Sequence, residues 1–418
     1  MLSCGLDFGT SNSTLGIVRN NVAELLELEN KSPIMRSAIL FDAETKAVFY
    51  GQDGIDRYFF GTKGRLMLSI KSILGSSLLD DKTAAGGRWY TYQEIIGLFL
   101  ANLKRIAEQQ LDAEISNVVL GRPVHYNDIN PQRDAYAQNA MEDLAKAQGF
   151  KEVVFQYEPL AAAKHYEQSV TQEELACIID LGAGTSDFTI IKIKNKQKHN
   201  NRSDDILANH GVHIGGTDFD KALNINFMMP LLGMGSLLET TSAVINVPKA
   251  IYYDLSTWHL LNRIYEPANI RLIKQALLTA KDKQLIGRLY KVLEDKLGHY
   301  LLDISENSKK KLSNVLMVSN NLDKVEVGLA VNINRAELEK VSKHLIDTTE
   351  LNLLETLKLA RLQADNINTV FLTGGTAQIP AIQHMIHKVF AKAKFIYGDV
   401  FGSVGKGLAL ESYEVFGR

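Results

Sequence analysis

Only two of the 418 residues are cysteine, so there is no disulfide framework to read. Cys4 and Cys177 both stand in apolar runs, where a thiol packs as a small hydrophobe; a reducing compartment fits. No uncharged apolar run reaches bilayer-spanning length, which argues against a membrane anchor. The first residues show no basic-then-apolar leader, so a cytoplasmic location is expected. The formal net charge is only −2, which gives no reason to expect nucleic acid as a partner. His210 and His213 have no further His or Cys nearby to complete a ligand set, and a metal reading is not favoured. Solenoid repeats and low-complexity segments are absent too. What remains is 45% hydrophobic and 22% charged, the balance of a soluble globular protein. At this length two lobes are expected rather than one simple core.

The most informative stretch is Cys177-Ile178-Ile179-Asp180-Leu181-Gly182-Ala183-Gly184-Thr185-Ser186-Asp187-Phe188. It reads as an apolar strand, a glycine-rich turn and a returning strand to Ile193. Glycines relax the backbone of the turn, which can then aim several N–H groups at one anion. Asp180, beside such a cradle, suits a hydrated magnesium ion, which accepts few carboxylates and keeps its waters. In isolation the ordinary explanation, a hairpin turn and nothing more, would win. The chain repeats the device, however, at Cys4-Gly5-Leu6-Asp7-Phe8-Gly9-Thr10-Ser11-Asn12-Ser13-Thr14. Two copies with the same acid in the same place point to two related lobes facing one ligand.

The remaining pattern alternates strands and helices. Strands are expected at Val22 to Glu29, at Asn117 to Leu120, and on either side of a turn at Asp42-Ala43-Glu44. Gly64 to Gly75 looks helical and contains Lys71, which by spacing alone reads as a surface lysine with a buried stem. Amphipathic helices are expected at Gln93 to Leu111 and Asn130 to Gln148. Val153 to Ala163 passes from strand to an alanine-rich helix, with Pro159 near its start. Glu158, at that junction, is either a helix-start acid favoured by the dipole or an active-site acid. Asn195 to Asp205 reads as a polar loop tip. Gly215-Gly216-Thr217-Asp218-Phe219-Asp220 opens a helix, with Asp218 or Asp220 near its cap. Residues 221–313 read as largely helical, Lys324 to Ile333 as a strand and Arg335 to Leu362 as one long helix. A third glycine device, Thr373-Gly374-Gly375-Thr376-Ala377-Gln378, follows an apolar strand. The helix from Ser403 to Ser412 carries Gly405 and Gly407, whose small size would let it lie against the alanine-rich helix.

Taken in order, these segments resemble the actin-like ATPase superfamily and, within it, the nucleotide-binding domain of the seventy-kilodalton heat-shock chaperones (DnaK type), in particular a short, YegD-like branch. Asp7 to Ser13 resembles the first phosphate loop of that family and Asp180 to Asp187 the second. Tyr157 to Ala163 resembles the segment joining the lobes, Glu306 to Ser313 the helix that grips adenosine, and Gly374-Gly375-Thr376 the loop under the base. The resemblance implies an α/β, actin-like ATPase (ribonuclease H-like) fold. It would have two duplicated lobes, each a mixed five-stranded sheet with helices, and a nucleotide cleft between them. Residues 1–168 completed by 390–418 would form the first lobe. Residues 169–389 would form the second, with an insertion at about 221–330. No β-rich peptide-binding domain is expected within this chain.

What the resemblance implies chemically is a magnesium-dependent ATPase cycling between ATP and ADP. Lys71 would hold the attacking water, Glu158 would orient water or metal, and Asp7 and Asp180 would hold Mg²⁺ through water. Thr10 and Thr185 would donate to the terminal phosphates. Gly9, Ser11, Asn12, Gly182, Ala183 and Gly184 would complete the two phosphate loops. Glu306, Lys309 and Lys310 would contact the ribose and adenine, Gly374 with Gly375 would form the floor of the base site, and Gly215, Gly216, Thr376 and Gln378 would also bind the nucleotide. Two positions depart from the family pattern. Gln378 stands where an arginine usually stacks on adenine, and Ala183 replaces a glycine of the second loop. The expected partners are the nucleotide and a protein, with no nucleic acid or membrane, and the expected state is a monomer. Three other readings stand beside the ATPase: a nucleotide-binding scaffold with little hydrolysis, a small-molecule kinase of the same superfamily, and an actin-like filament.

Overall fold

The computed structural model describes residues 2–74, 76, 78–127, 130–167, 170–194, 203–239, 243–397 and 402–417. The chain forms two compact units. The first comprises Met1–His213, Glu350–Ala377 and Ile386–Arg418; the second comprises Ile214–Thr349 and Gln378–Met385.

The first unit holds two sheets of one topology. In the first sheet the strand Leu2–Phe8 pairs antiparallel with Asn12–Arg19, which pairs antiparallel with Val22–Leu25. On its other side Leu2–Phe8 pairs parallel with Ile115–Arg122, and that strand with Glu152–Tyr157. The two-residue strand Met35–Arg36 adds to Asn12–Arg19. In the second sheet Glu174–Leu181 pairs antiparallel with Ser186–Ile193, and that with Ile206–Val212. On its other side lie Thr369–Thr373 and Lys394–Tyr397, both parallel. Each sheet is therefore a three-strand antiparallel meander continued by two parallel strands.

Parallel strands need cover on both faces, and every residue of Ile115–Arg122 is buried. On one face Phe8, Leu15, Ile95, Phe99, Leu103 and Val118 join a single apolar core under the helices Tyr92–Leu111 and Pro131–Ala147. Thr91 and Glu94 cap the first of these helices reciprocally, and Asn130 caps the second with Pro131 at its first position. On the opposite face Val119 meets Ala161, Val404 and Leu408. Here the helix Ser403–Phe416 lies almost on the backbone of its neighbours. A Cβ at Gly5 would come 2.2 Å from the Leu408 carbonyl carbon, and one at Gly407 1.8 Å from the Ala161 carbonyl oxygen. The expected contact between the glycine-bearing helix and the alanine-rich helix is present.

Several expected elements take another form. Gly64–Leu68 is a strand, not helix, because it pairs antiparallel with Ala38–Asp42. In the second unit the expected strand Lys324 to Ile333 is instead the hairpin Met317–Asn321 and Ala330–Asn334. Its loop is closed by the Gly328 N–H donating to Asp323 at 2.7 Å and the Leu322 N–H to the Leu329 carbonyl at 2.7 Å. The long helix expected from Arg335 is interrupted at Ser342, whose hydroxyl turns back to the Leu338 carbonyl at 2.7 Å. It continues as Lys343–Leu359. Residues 195–202 of the expected loop tip lie outside the described residues.

Candidate functional site

The turn of the first hairpin consists of Gly9, Thr10 and Ser11. A Cβ at position 9 would stand 2.2 Å from the Asn12 carbonyl oxygen, so the turn closes only on glycine. Ser37 braces it from outside. Its hydroxyl donates to the Gly9 carbonyl at 2.7 Å and its N–H to the Ser11 carbonyl at 2.8 Å. The second turn closes through the Gly182 N–H on the Thr185 carbonyl at 2.9 Å. Its brace comes from the third glycine device, where the Thr376 hydroxyl donates to the Gly182 carbonyl at 2.7 Å. Gly374 has φ +82°, and a Cβ there would lie 2.2 Å from the Leu181 carbonyl oxygen and 2.8 Å from Asp180 Oδ1. The two turns are neighbours, since a Cβ on Gly184 would sit 3.9 Å from Thr10 Cγ2.

Lys71 reaches this place by an abrupt change of direction. The strand Gly64–Leu68 ends at Ser69, which is left-handed at φ 54° and donates its N–H to the Ser37 carbonyl at 3.1 Å. A single 3₁₀ turn, Ile70–Ile73, then carries Lys71 inward rather than to the surface. Its ammonium lies 2.7 Å from Glu158 Oε1, with the two side chains 11% and 15% exposed. Glu158 opens the helix Glu158–Glu167. The absence of a side chain at Gly121 makes room for it, because a Cβ there would be 3.3 Å from Glu158 Cγ.

The charges interact strongly. Burial and the Glu158 carboxylate push Asp7 up to about 7, while Lys71 pulls the other way. Burial, Asp187, Glu158 and Asp7 together push Asp180 up to about 8, again against Lys71. Asp187 is directly opposite Asp180 in the hairpin register. For Lys71, burial opposes the charge, but Glu158, Asp7 and Tyr126 outweigh it, and its ammonium is held well above the ordinary range. The arrangement combines one firmly protonated cation, a surplus of carboxylates and two turns rich in N–H and hydroxyl donors. Among the described residues no group of three or more His, Cys, Asp or Glu side chains could hold a metal ion by itself.

The second unit holds other expected contact residues. Gly215 precedes the helix Gly216–Leu223, and Asp218, not Asp220, accepts the Gly215 N–H at 2.9 Å. Lys309, on the helix Gly298–Leu312, donates to the Gly216 carbonyl at 2.7 Å and to Asp220 at 2.9 Å, tying the two helices together. Glu306 and Lys310 form an ion pair one turn apart at 2.6 Å. Gln378 is exposed.

Comparison with known proteins bears on the whole chain. The family model described as Hsp70 protein matches residues 3–232 and 283–407. This chain belongs to the Hsp70 family. It is 24% identical over 392 residues to the chaperone protein DnaK of Mycoplasmopsis pulmonis (strain UAB CTIP), and 26% identical over 397 residues to that of Mesomycoplasma hyopneumoniae (strain 232). Each alignment covers 93% of this chain and 54% of the relative, so the Hsp70 chain spans about half the length of these curated relatives. The fold is accordingly the actin-like ATPase fold expected from the motifs. Among the described residues no helix of this Hsp70 chain is long and apolar enough to cross a membrane.

Sequence reasoning missed a cluster beside Lys71 in this Hsp70 chain. It took Gly121-Arg122-Pro123 only as the end of a strand. Arg122 is buried and its guanidinium donates to the Pro123 and Val124 carbonyls, each at 2.9 Å, to Asp134 at 3.1 Å, and to Gln138. The other oxygen of Asp134 accepts the Tyr126 N–H. The Arg122 cation also lies 5.3 Å and 5.2 Å from the ring centres of Tyr126 and Tyr157. Burial pushes the Tyr126 phenol up to about 12, with Lys71 and Arg122 opposing and Glu158 and Asp134 adding to the rise. An arginine closing an apolar strand, with an acid in the first turn of the next helix, was the available signal. Ser37 left no comparable trace.

Proposed function

We propose that this Hsp70-family chain binds ATP with magnesium and hydrolyses it to ADP and phosphate. One observation carries the reading above the others: Lys71, paired with Glu158, is buried in the field of Asp7 and Asp180 while the two phosphate-loop-like turns adjoin each other. Phosphoryl transfer needs positioning and charge compensation rather than covalent help. Thr10, Thr185 and N–H groups of residues 9–12 and 183–185 would bind the terminal phosphates, while the Gly182 N–H closes the second turn. Lys71 would hold the attacking water and Glu158 would keep the ammonium aimed.

The donor set fits magnesium. Asp7 and Asp180 carry too little positive compensation to ionise freely, and a hydrated divalent cation would relieve that while binding through water. Once bound, the metal supplies charge neutralisation on the phosphate oxygens. In the second unit Gly215, Gly216, Glu306, Lys309 and Lys310 remain the candidates for the adenosine, Lys309 in its present place also bracing Gly216. Gly375 and Gln378 are candidates for the base site, while Gly374 and Thr376 would serve it by shaping the second turn. The nucleotide state would be read by a protein partner, in keeping with relatives named as chaperones.

The test is incubation of the pure protein with ATP and Mg²⁺, alone and with small acceptors, while ADP and phosphate are followed. Phosphate release without an acceptor supports the reading. Acceptor-dependent ADP would replace it with a kinase, and tight binding without either product with a scaffold.

A further inference from the structure

A groove of about 540 Å³ opens among the strand Val48–Tyr50, the helix Tyr92–Leu111 and residues 28–35, and shares no lining residue with the site around Lys71. Leu28, Met35, Val48, Leu98 and Ile106 give it apolar walls. Its carboxylates are already engaged. Glu29 accepts the N–H groups of Gln52 at 2.9 Å and Asp53 at 3.0 Å, capping the helix Gly51–Phe59. Both oxygens of Asp53 face Arg57 Nε at 2.9 Å.

Its donors are not so engaged. The Arg105 guanidinium donates only to the neutral side chains of Gln109 and Asn102, each at 2.9 Å, and has no carboxylate partner among the described residues. Asn102 is 7% exposed, and its amide nitrogen meets only the Met35 sulfur at 3.7 Å, a weak acceptor. The Tyr50 phenol lies in the field of Arg105, and among the described residues its hydroxyl has no hydrogen-bond partner. Three donors thus border an apolar groove whose own carboxylates are occupied.

We propose that this groove binds a small organic monoanion, a carboxylate on an unbranched apolar body. The carboxylate would meet Arg105, Asn102 and Tyr50, and the body would lie between Met35, Leu98 and Ile106. The guanidinium fork matches a carboxylate, and the volume falls in the range of small-ligand sites. Glu29 and Asp53, although neutralised locally, would repel a polyanion, which selects a single carboxylate over a phosphate-rich ligand.

The probes are octanoate, 1-octanol and octylammonium, titrated below micelle-forming concentrations into the full chain by calorimetry, with the Arg105 side-chain N–H followed by NMR. Octanoate is expected to occupy one saturable site about tenfold or more tighter than 1-octanol, shifting the Arg105 signal. Arg105→Gln should abolish that advantage and leave 1-octanol unchanged; Arg105 is exposed, so the variant should fold. Ala101→Trp, filling the groove, should remove binding of all three probes. Equal octanoate affinity in wild type and Arg105→Gln would overturn the proposal, as would preference for octylammonium, or binding that survives Ala101→Trp.

Discussion

At the scale of single residues, the proposed hydrolysis turns on one ammonium group and what keeps it in place. Lys71→Ala should leave nucleotide affinity within a few-fold yet lower single-turnover hydrolysis on the order of 10²–10³. Unchanged hydrolysis would remove Lys71 from the mechanism. Arg122→Gln should act more gently and indirectly. It removes the guanidinium's bonds to the Pro123 and Val124 carbonyls and to Asp134, so we expect hydrolysis to fall roughly tenfold to a hundredfold with KM little altered. An effect confined to KM would show that the segment serves binding instead. Residue types alone made Asp7 and Asp180 legible as acids at glycine-marked turns, and left Glu158 open between a helix-start acid and an active-site acid. They did not reveal that Lys71 is buried, because that depends on a partner from a distant segment of the chain. Arg122 and Ser37 were hidden for the same reason, since their bonds join segments that no local pattern connects.

At the scale of elements, glycine reports where backbone meets backbone. Gly374→Ala combines a left-handed φ with a Cβ 2.2 Å from the Leu181 carbonyl oxygen. It should destabilise the fold by about 1–3 kcal/mol or more and displace the second turn, measurable by urea unfolding together with weaker nucleotide binding. A full loss of stability with no change in binding would mean that the loop under the turn is only structural. The two hairpins were readable because apolar runs, an acid and a glycine turn are contiguous in sequence. Gly64–Leu68 was not, because its apolar residues suit either period and pairing with Ala38–Asp42 decides the matter. Lys324 to Ile333 failed likewise: the side chain of Asp323 and the turn at Gly328 move the strand boundaries in ways that apolar spacing does not record.

At the scale of the whole molecule, the repeated sheet topology was legible and the bounds of its compact units were less so, because the first unit is assembled from three separated stretches. The surplus of carboxylates gives the protein a pH signature. Asp7 and Asp180 bind protons more tightly when folded than when unfolded. The stabilisation from these protons is full below about pH 4 and is lost as pH rises through about 7 to 8. The melting temperature without divalent cations should therefore fall between about pH 6 and about pH 9. Mg²⁺ should raise it more at the upper end, and Asp180→Asn should flatten the curve. A magnesium shift independent of pH would separate the metal from these carboxylates. Finally, the helix Ser403–Phe416 seals the face of strands Leu2–Phe8 and Asn12–Arg19, and the Ser412 hydroxyl donates to the hydroxyl of Ser3 at 2.9 Å. A chain emerging from the ribosome makes that sheet early and its cover some four hundred residues later. Throughout synthesis the small-residue face at Ser3, Gly5, Thr14 and Gly16 must wait for that cover, so the first unit cannot close until residues 403–416 have been made.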